Sequence, residues 1–320
     1  MTALAKGREP LLPRWSSRAA AAGLGLLLDR ALGEPPRCHP VAAFGTAMGA
    51  LEERTWGDDR WSGVGYTTAG VGLGIGAGLV LRSTAASVAL CSAGRELRRV
   101  AASIGELAST GDLAGARAAL PALVGRDPDG LDASAIAAAV IESLAENSVD
   151  AMVAPALWGA LAGAPGAAGY RAVNTMDAMV GHRSPRYERF GWSAARLDDA
   201  ANLVPARAFA ALVALLVPRR TGAIATAIRT QARAHPSPNA GVAEAAVAAA
   251  LHLELGGTLR YGERVESRPV LGTGPRPQPS DIHRAIELVD RVELLLTGLL
   301  VAPAALTTVR SRRPSDGSGR

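Results

Sequence analysis

Residues 61 to 81, WSGVGYTTAGVGLGIGAGLVL, are 21 consecutive positions without a charge, and no other feature narrows the fold as far. At ~1.5 Å per residue a helix of this length reaches across a ~30 Å hydrocarbon core. Inside such a core the backbone must satisfy its own hydrogen bonds, so helices or a closed barrel are the only solutions. Strand alternation is weak throughout, which leaves an all-α, polytopic integral membrane protein as the expected class. The 48% hydrophobic content, mean hydropathy of +0.15 and only 4% aromatics agree, because the apolar mass is then Ala, Leu, Val and Gly. Small side chains of that kind let helices approach closely in a bilayer. A soluble Ala-rich bundle is the competing class.

The glycine-rich GVGLGIGAG at 70 to 78 contains a GxGxxG-like spacing, but its apolar setting reads as helix packing. Lys6 is the only lysine, so neither a P-loop nor a pyridoxal Schiff base can be built. The net charge of +5 comes from dispersed arginines without an aromatic platform, which argues against nucleic acid and for loops facing anionic lipid. Cys38 and Cys91 are far apart, giving no disulfide framework and no zinc site.

Residues 200 to 218, broken only by Arg207, and 294 to 309 are weaker spanning segments, and 83 to 94 is expected to continue a helix toward ELRRV. AAAAGLGLLL imitates a secretory signal, but Asp29 and Arg30 stand where cleavage would fall, so an uncleaved anchor or packed helix is expected. Residues 95 to 125 show three- and four-residue apolar spacing broken near Thr110 and Gly111, an amphipathic helical hairpin on the cytoplasmic side. Residues 1 to 320 are read as one helical membrane domain, with 126 to 244 as its polar block and 311 to 320 as a disordered tail.

Within the polar block, Glu142, Glu146 and Asp150 recur every four residues and share a helix face. Unless water, arginine or a metal compensates, such a face costs a few tenths of a kcal/mol per pair. A solvated acidic face is the bland alternative, and the adjoining uncharged run 151 to 170 argues against it. GAPG at 163 to 166 is expected to break that run, leaving a first limb of about a dozen residues, ~18 Å, too short to cross. The result is a re-entrant hairpin that returns Asn174 and Asp177 toward Asp150. Asp198 and Asp199 with Asn202 fall within one turn, a set suited to magnesium, while Arg183, Arg196 and Arg207 supply forked donors for phosphate. An Arg–Asp network stapling helices is the structural alternative. The turn and helix HPSPNAGVAE add His235, Ser237, Asn239 and Glu244, and His252 is expected to pack.

Taken together, LLLDRALGEPPRCHPVAAFG, VGRDPDGLD, ESLAENSVDAMVAP, GYRAVNTMDAMVGHRSPRYERFGWSAARLDDAANLVPAR, HPSPNAGVAEAAVAAALHLELGG and YGERV resemble the adenosylcobinamide-phosphate synthase family of cobalamin biosynthesis (CobD/CbiB). The strings cover nearly the whole chain. Two departures are modest: Gly33-Glu34-Pro35 replaces an acidic-Pro motif with aspartate, and the aromatic after HPV is displaced to Phe44.

The resemblance implies an amide-forming ligase that joins aminopropanol, or its phosphate, to the propionate of (adenosyl)cobyric acid. It implies a multi-pass protein of the cytoplasmic membrane with its site facing the cytoplasm, and partners among other enzymes of the pathway or a second copy of the chain. The motif positions are Asp29, Glu34, His39, Arg126, Asp127, Glu142, Glu146, Asn147, Asp150, Asn174, Asp177, Arg196, Asp198, Asp199, Asn202, Arg207, Ser237, Asn239 and Glu244. Of these, Glu142, Glu146, Asn147, Asp150, Asn174 and Asp177 are expected to be catalytic. His39, Arg126, Asp127, Arg171, Arg183, Arg196, Asn202, Arg207, Ser237, Asn239 and Glu244 are expected to bind substrate or phosphate, and Asp198 and Asp199 to hold Mg2+. Amide formation from a carboxylate needs prior activation, so ATP is expected as the cosubstrate. A membrane prenyltransferase using Asp-bound magnesium, and a non-catalytic corrinoid-binding protein, are the alternatives.

Overall fold

The computed structural model describes residues 11–34, 39–125, 127–182, 184–261 and 264–311. The polypeptide is a polytopic helical membrane protein. Among the described residues, three helical segments are long and apolar enough to cross a membrane: Arg60–Leu81, Ala133–Gly181 and Trp192–Leu216.

Helix α1 (Leu11–Leu32) buries Ala19, Ala22 and Leu26 against its neighbours, so the N-terminal apolar run is a packed helix. Helix α2 (Pro40–Thr55) begins at His39, whose ring accepts the Val41 N–H, with Pro40 at its first position. Helix α3 (Arg60–Leu81) is the charge-free run. Asp59 caps it by accepting from the N–H groups of Trp61 and Ser62, and Arg82 ends it in the left-handed region at φ 61°.

The expected continuation through 83 to 94 is interrupted twice. Ser83 caps a separate helix, α4 (Thr84–Cys91), and α5 (Gly94–Ser109) starts only after Ser92 and Ala93. A serine in an apolar run is ambiguous in sequence, because the same hydroxyl either caps a new helix or bonds back along an old one. Helices α5 and α6 (Leu113–Ala119) form the amphipathic hairpin, broken at Thr110 and Gly111 as the periodicity predicts.

Helix α7 (Ala133–Ser148) runs through a π-turn at Val149–Val153 into α8 (Ala154–Ala162) without leaving helical geometry. Gly163, at φ 71°, then reverses the chain into α9 (Ala164–Met176), which ends in a second π-turn, Asp177–Gly181. The reversal at GAPG is therefore present. Its first limb is not a dozen residues, however, since the π-turn carries α7 straight into α8, and the tip at Ala164 and Pro165 lies against Gly78 near the end of α3. The glycines explain the close fit: an added Cβ on Gly74 would lie 2.5 Å from the Ala172 methyl.

Helix α10 (Trp192–Leu216) contains Pro205 and contacts both π-turns; α11 (Thr221–Thr230) brings the chain back to α12 (Ala240–Leu251). The return puts HPSPN beside the first half of α10, whichever way that helix lies. Helix α13 (Pro279–Ser311) buries Leu288, Val292, Leu296 and Leu300 in the core shared with α1, α5 and α7, while Leu294 and Leu299 face outward. His252 does not pack: it is exposed, at φ 58°, where α12 ends.

The reading of weak strands throughout is wrong for one region. Strands β1 (Glu254–Tyr261) and β2 (Arg264–Gly272) form an antiparallel hairpin with an irregularity between Leu255 and Gly257, where Gly256 and Gly257 take φ of 80° and 96°. Buried Glu142 on α7 holds it by accepting the Gly256 N–H at 2.8 Å, and Gln231 accepts the Gly272 N–H at 2.7 Å. Arg126, Arg183, Cys38 and the tail 312 to 320 lie outside the described residues; Cys91 is a buried free thiol.

Candidate active site

Four parts of the chain meet at a small cavity lined by Glu146, Val149, Asp150, Asp198, Asn202, Ser237, Asn239 and Ala240. The first π-turn presents Asp150, α9 presents Tyr170 and Asn174, α10 presents Asp198 and Asn202, and the turn before α12 presents Ser237 and Asn239. An added residue in a π-turn widens the helix locally and re-aims what it carries, which is why such turns recur at functional sites. Here each π-turn carries an acid at its start, Asp150 second in the one and Asp177 first in the other.

The hydrogen bonds are specific. Tyr170 Oη lies 2.9 Å from both Asp150 Oδ1 and Asn202 Oδ1. Asn202 donates from Nδ2 to Asp198 Oδ2 at 3.0 Å, and Asn174 donates to Asp198 Oδ1 at 3.4 Å. Arg171 donates to Asn174 Oδ1 at 3.0 Å and so orients that amide. Asn239 donates to the Asp199 carbonyl at 2.7 Å and accepts from Arg207 at 3.0 Å, which ties HPSPN to the Asp198 helix. Asp177 is near enough to Asp150 and Asp199 for their charges to act on it, and an added Cβ on Gly181 would overlap the Asp177 carboxylate. Glu146 stands exposed at the mouth, within electrostatic reach of Arg268.

Other expected residues serve elsewhere. Asn147 donates to Ser143 Oγ at 2.7 Å, and Glu142 anchors the β-hairpin. His39 starts α2, and Asp127 accepts the Asp129 N–H in the loop before α7. Glu244 is buried 3.6 Å from His235 Nε2. Arg196 is exposed, 4.0 Å from Asp199. The Asp199 carboxylate lies 4.0 Å from Arg196, and among the described residues no three His, Cys, Asp or Glu side chains converge as a metal site. Tyr170 and Arg268 were not singled out by the sequence. A tyrosine in an Ala-rich helix is a usable signal, since its buried hydroxyl needs a partner; nothing local marks Arg268.

Counting hydrogens tests whether a cation suits this centre. Tyr170 has one hydroxyl hydrogen and two oxygen neighbours at 2.9 Å, and turning the Asn202 amide over would set its oxygen against Asp198 instead. With both carboxylates ionised, one of the close oxygen–oxygen contacts is thus left without a hydrogen. An oxygen-only set short of positive charge fits a hard cation such as magnesium.

Fold and site together define a class: a helical membrane protein with a buried, oxygen-rich carboxylate and amide centre. Within that class the chain belongs to the CobD/CbiB family, whose model, described as CobD/Cbib protein, matches residues 22–289. It is 46% identical over 288 residues to "Cobalamin biosynthesis protein CobD" of Mycobacterium tuberculosis (strain ATCC 25618 / H37Rv), covering 86% of this chain and 92% of that one. A protein of the same name from Chromobacterium violaceum is 40% identical over 300 residues, 88% of this chain and 96% of the other. The Rhodobacter capsulatus protein of that name is 50% identical over 200 residues, 62% and 63% of the two chains. No solved structure matches.

Proposed function

We propose that this chain acts in cobalamin biosynthesis as an adenosylcobinamide-phosphate synthase, linking aminopropanol or its phosphate through an amide to the propionate of (adenosyl)cobyric acid, with ATP and Mg2+. The observation that carries the chemistry is the Asp150–Tyr170–Asn202–Asp198 chain, a donor-poor oxygen centre at the floor of a cavity of about 30 Å³. That space admits one or two waters or an ion, not a macrocycle. The corrin ring therefore stays outside, with its propionate brought to the mouth.

Asp150 and Asp198 would hold magnesium, with Asn174 and Tyr170 fixing the two carboxylates. Magnesium there would supply positive charge against nucleotide phosphates; the propionate would be activated as an acyl phosphate or adenylate, and attack by the amine would release phosphate or AMP. Arg171 and Arg207, which donate to Asn174 and Asn239, would bind the anionic groups. Glu146, exposed at the mouth, takes the proton released when the substrate ammonium becomes the attacking amine. The mouth faces the cytoplasm in this reading.

Purified protein incubated with cobyric acid, aminopropanol phosphate and ATP–Mg2+ should yield a product heavier by the amide-linked unit, and Asp198→Asn should abolish it. Bound corrinoid without a mass change, turnover without nucleotide, or full activity of Asp198→Asn would each overturn the scheme.

A further inference from the structure

The first π-turn is held from outside the site. Asp29, buried near the end of α1, accepts from the backbone N–H groups of Gly94 at 3.0 Å and Arg95 at 3.3 Å. These open α5, whose own N-cap residue, Ala93, offers no side-chain acceptor. A helix start leaves several N–H groups unpaired, so here a carboxylate from another helix supplies the cap. With α5 held in that place, the Ala93 N–H donates to the carbonyl of Ala151 at 3.0 Å. Ala151 follows Asp150 in the π-turn.

The fit at this junction is tight. A Cβ on Gly94 would lie 2.6 Å from Met152 Sδ, and Arg98 approaches the same sulfur at 3.4 Å while pairing with Glu293. A π-turn's wider ladder matches its carbonyls poorly to helical partners, so an outside N–H on one of them favours the widened turn. Relaxation to α-helical register moves one residue through ~100° about the axis, enough to carry Asp150 off Tyr170.

We propose that Asp29 is a positioning residue: by docking the start of α5 onto the 149–153 turn, it sets the direction in which Asp150 points. This rests on the reading of Asp150 as a site residue.

The test uses the full chain in lipid nanodiscs and compares Asp29→Ala with Asp29→Asn, whose amide oxygen still accepts from both N–H groups. Losing a hydrogen-bonded carboxylate should raise amide exchange in 93–98 and 149–154 by about tenfold or more, leaving the β-hairpin unchanged. In the amide-forming assay the alanine variant should lose kcat by about tenfold with little change in KM, and the asparagine variant should stay within about threefold of the parent on both readouts. Should Asp29→Ala not fold, Gly94→Ala wedges the same junction at Met152 and should raise exchange in the same two segments. Unchanged exchange at 149–154, or an asparagine variant as impaired as alanine, overturns the proposal. A parent that forms no amide sinks the proposed reaction, while the exchange comparison still decides the docking.

Discussion

Tyr170→Phe isolates the centre of the site, because it removes one oxygen and leaves the ring. The ring is 3% exposed and stays packed, so a change reports the hydroxyl. That hydroxyl can give its hydrogen to Asp150 or to Asn202, not to both. A hydrogen bond to a charged acceptor is worth about 1.5–3 kcal/mol when lost, and the second, hydrogen-poor oxygen contact offsets part of that. A net loss of about 2 kcal/mol follows if the site keeps its geometry only through this bond, equivalent to about thirtyfold in rate. Product formation by mass spectrometry, titrated with Mg2+, should show kcat reduced by that order and the Mg2+ midpoint raised. The cause would be that Asp150 is no longer fixed opposite Asp198. A phenylalanine variant with the parent's kcat and Mg2+ midpoint would show that Tyr170 only fills space, and would remove the basis for pairing those two aspartates.

Gly74→Ala, pressing on Ala172 at 2.5 Å, should cost about 1–3 kcal/mol in detergent unfolding, whereas Gly76→Ala, with nothing within 4 Å, should fall within about 0.5 kcal/mol; equal values would mean that α3 does not pack by its glycines. Glu142→Ala should loosen the 254–272 hairpin to protease, while Glu142→Gln keeps an acceptor for Gly256 and should resist. Asp290, outside the spanning segments, is held below its ordinary range by the Arg30 hydrogen bond. Its contribution to stability should be complete above the unfolded carboxylate pKa of ~3.9 and lost as pH falls through the lower folded value, so Asp290→Asn should flatten the acid limb of an unfolding curve.

The parts of the fold open to reading from sequence are those governed by one local rule. The charge-free run became α3 because a spanning helix depends on length and polarity alone, and the hairpin of α5 and α6 followed from a 3.6-residue period. The strands at 254 to 272 carry little local signal because their pairing is held by contacts far away: Glu142 and Gln231 take the hairpin's N–H groups, and neither announces this in its own segment. α13 carries two signals at once: its apolar second half satisfies a hydropathy rule, and Leu296 and Leu300 within it also pack into a core with α1, α5 and α7, which hydropathy does not reveal.

The site divides along the same line. Carboxylates at four-residue spacing mark a face, so Asp150 was visible as a candidate, and so was Asp198. Spacing alone, however, does not say what a face meets. Glu146 and Asp150 line one cavity, where Asp150 reaches Tyr170, while Glu142, on the turn before Glu146, anchors the β-hairpin instead. In the same way Asp198 and Asp199, adjacent in sequence, point about 100° apart on a helix, so the partner of Asp198 comes from another element. The chain from Asp150 through Tyr170 and Asn202 to Asp198 is made by helices meeting at a tyrosine, and it needs GAPG to fold α9 back onto α8 and place that tyrosine between them.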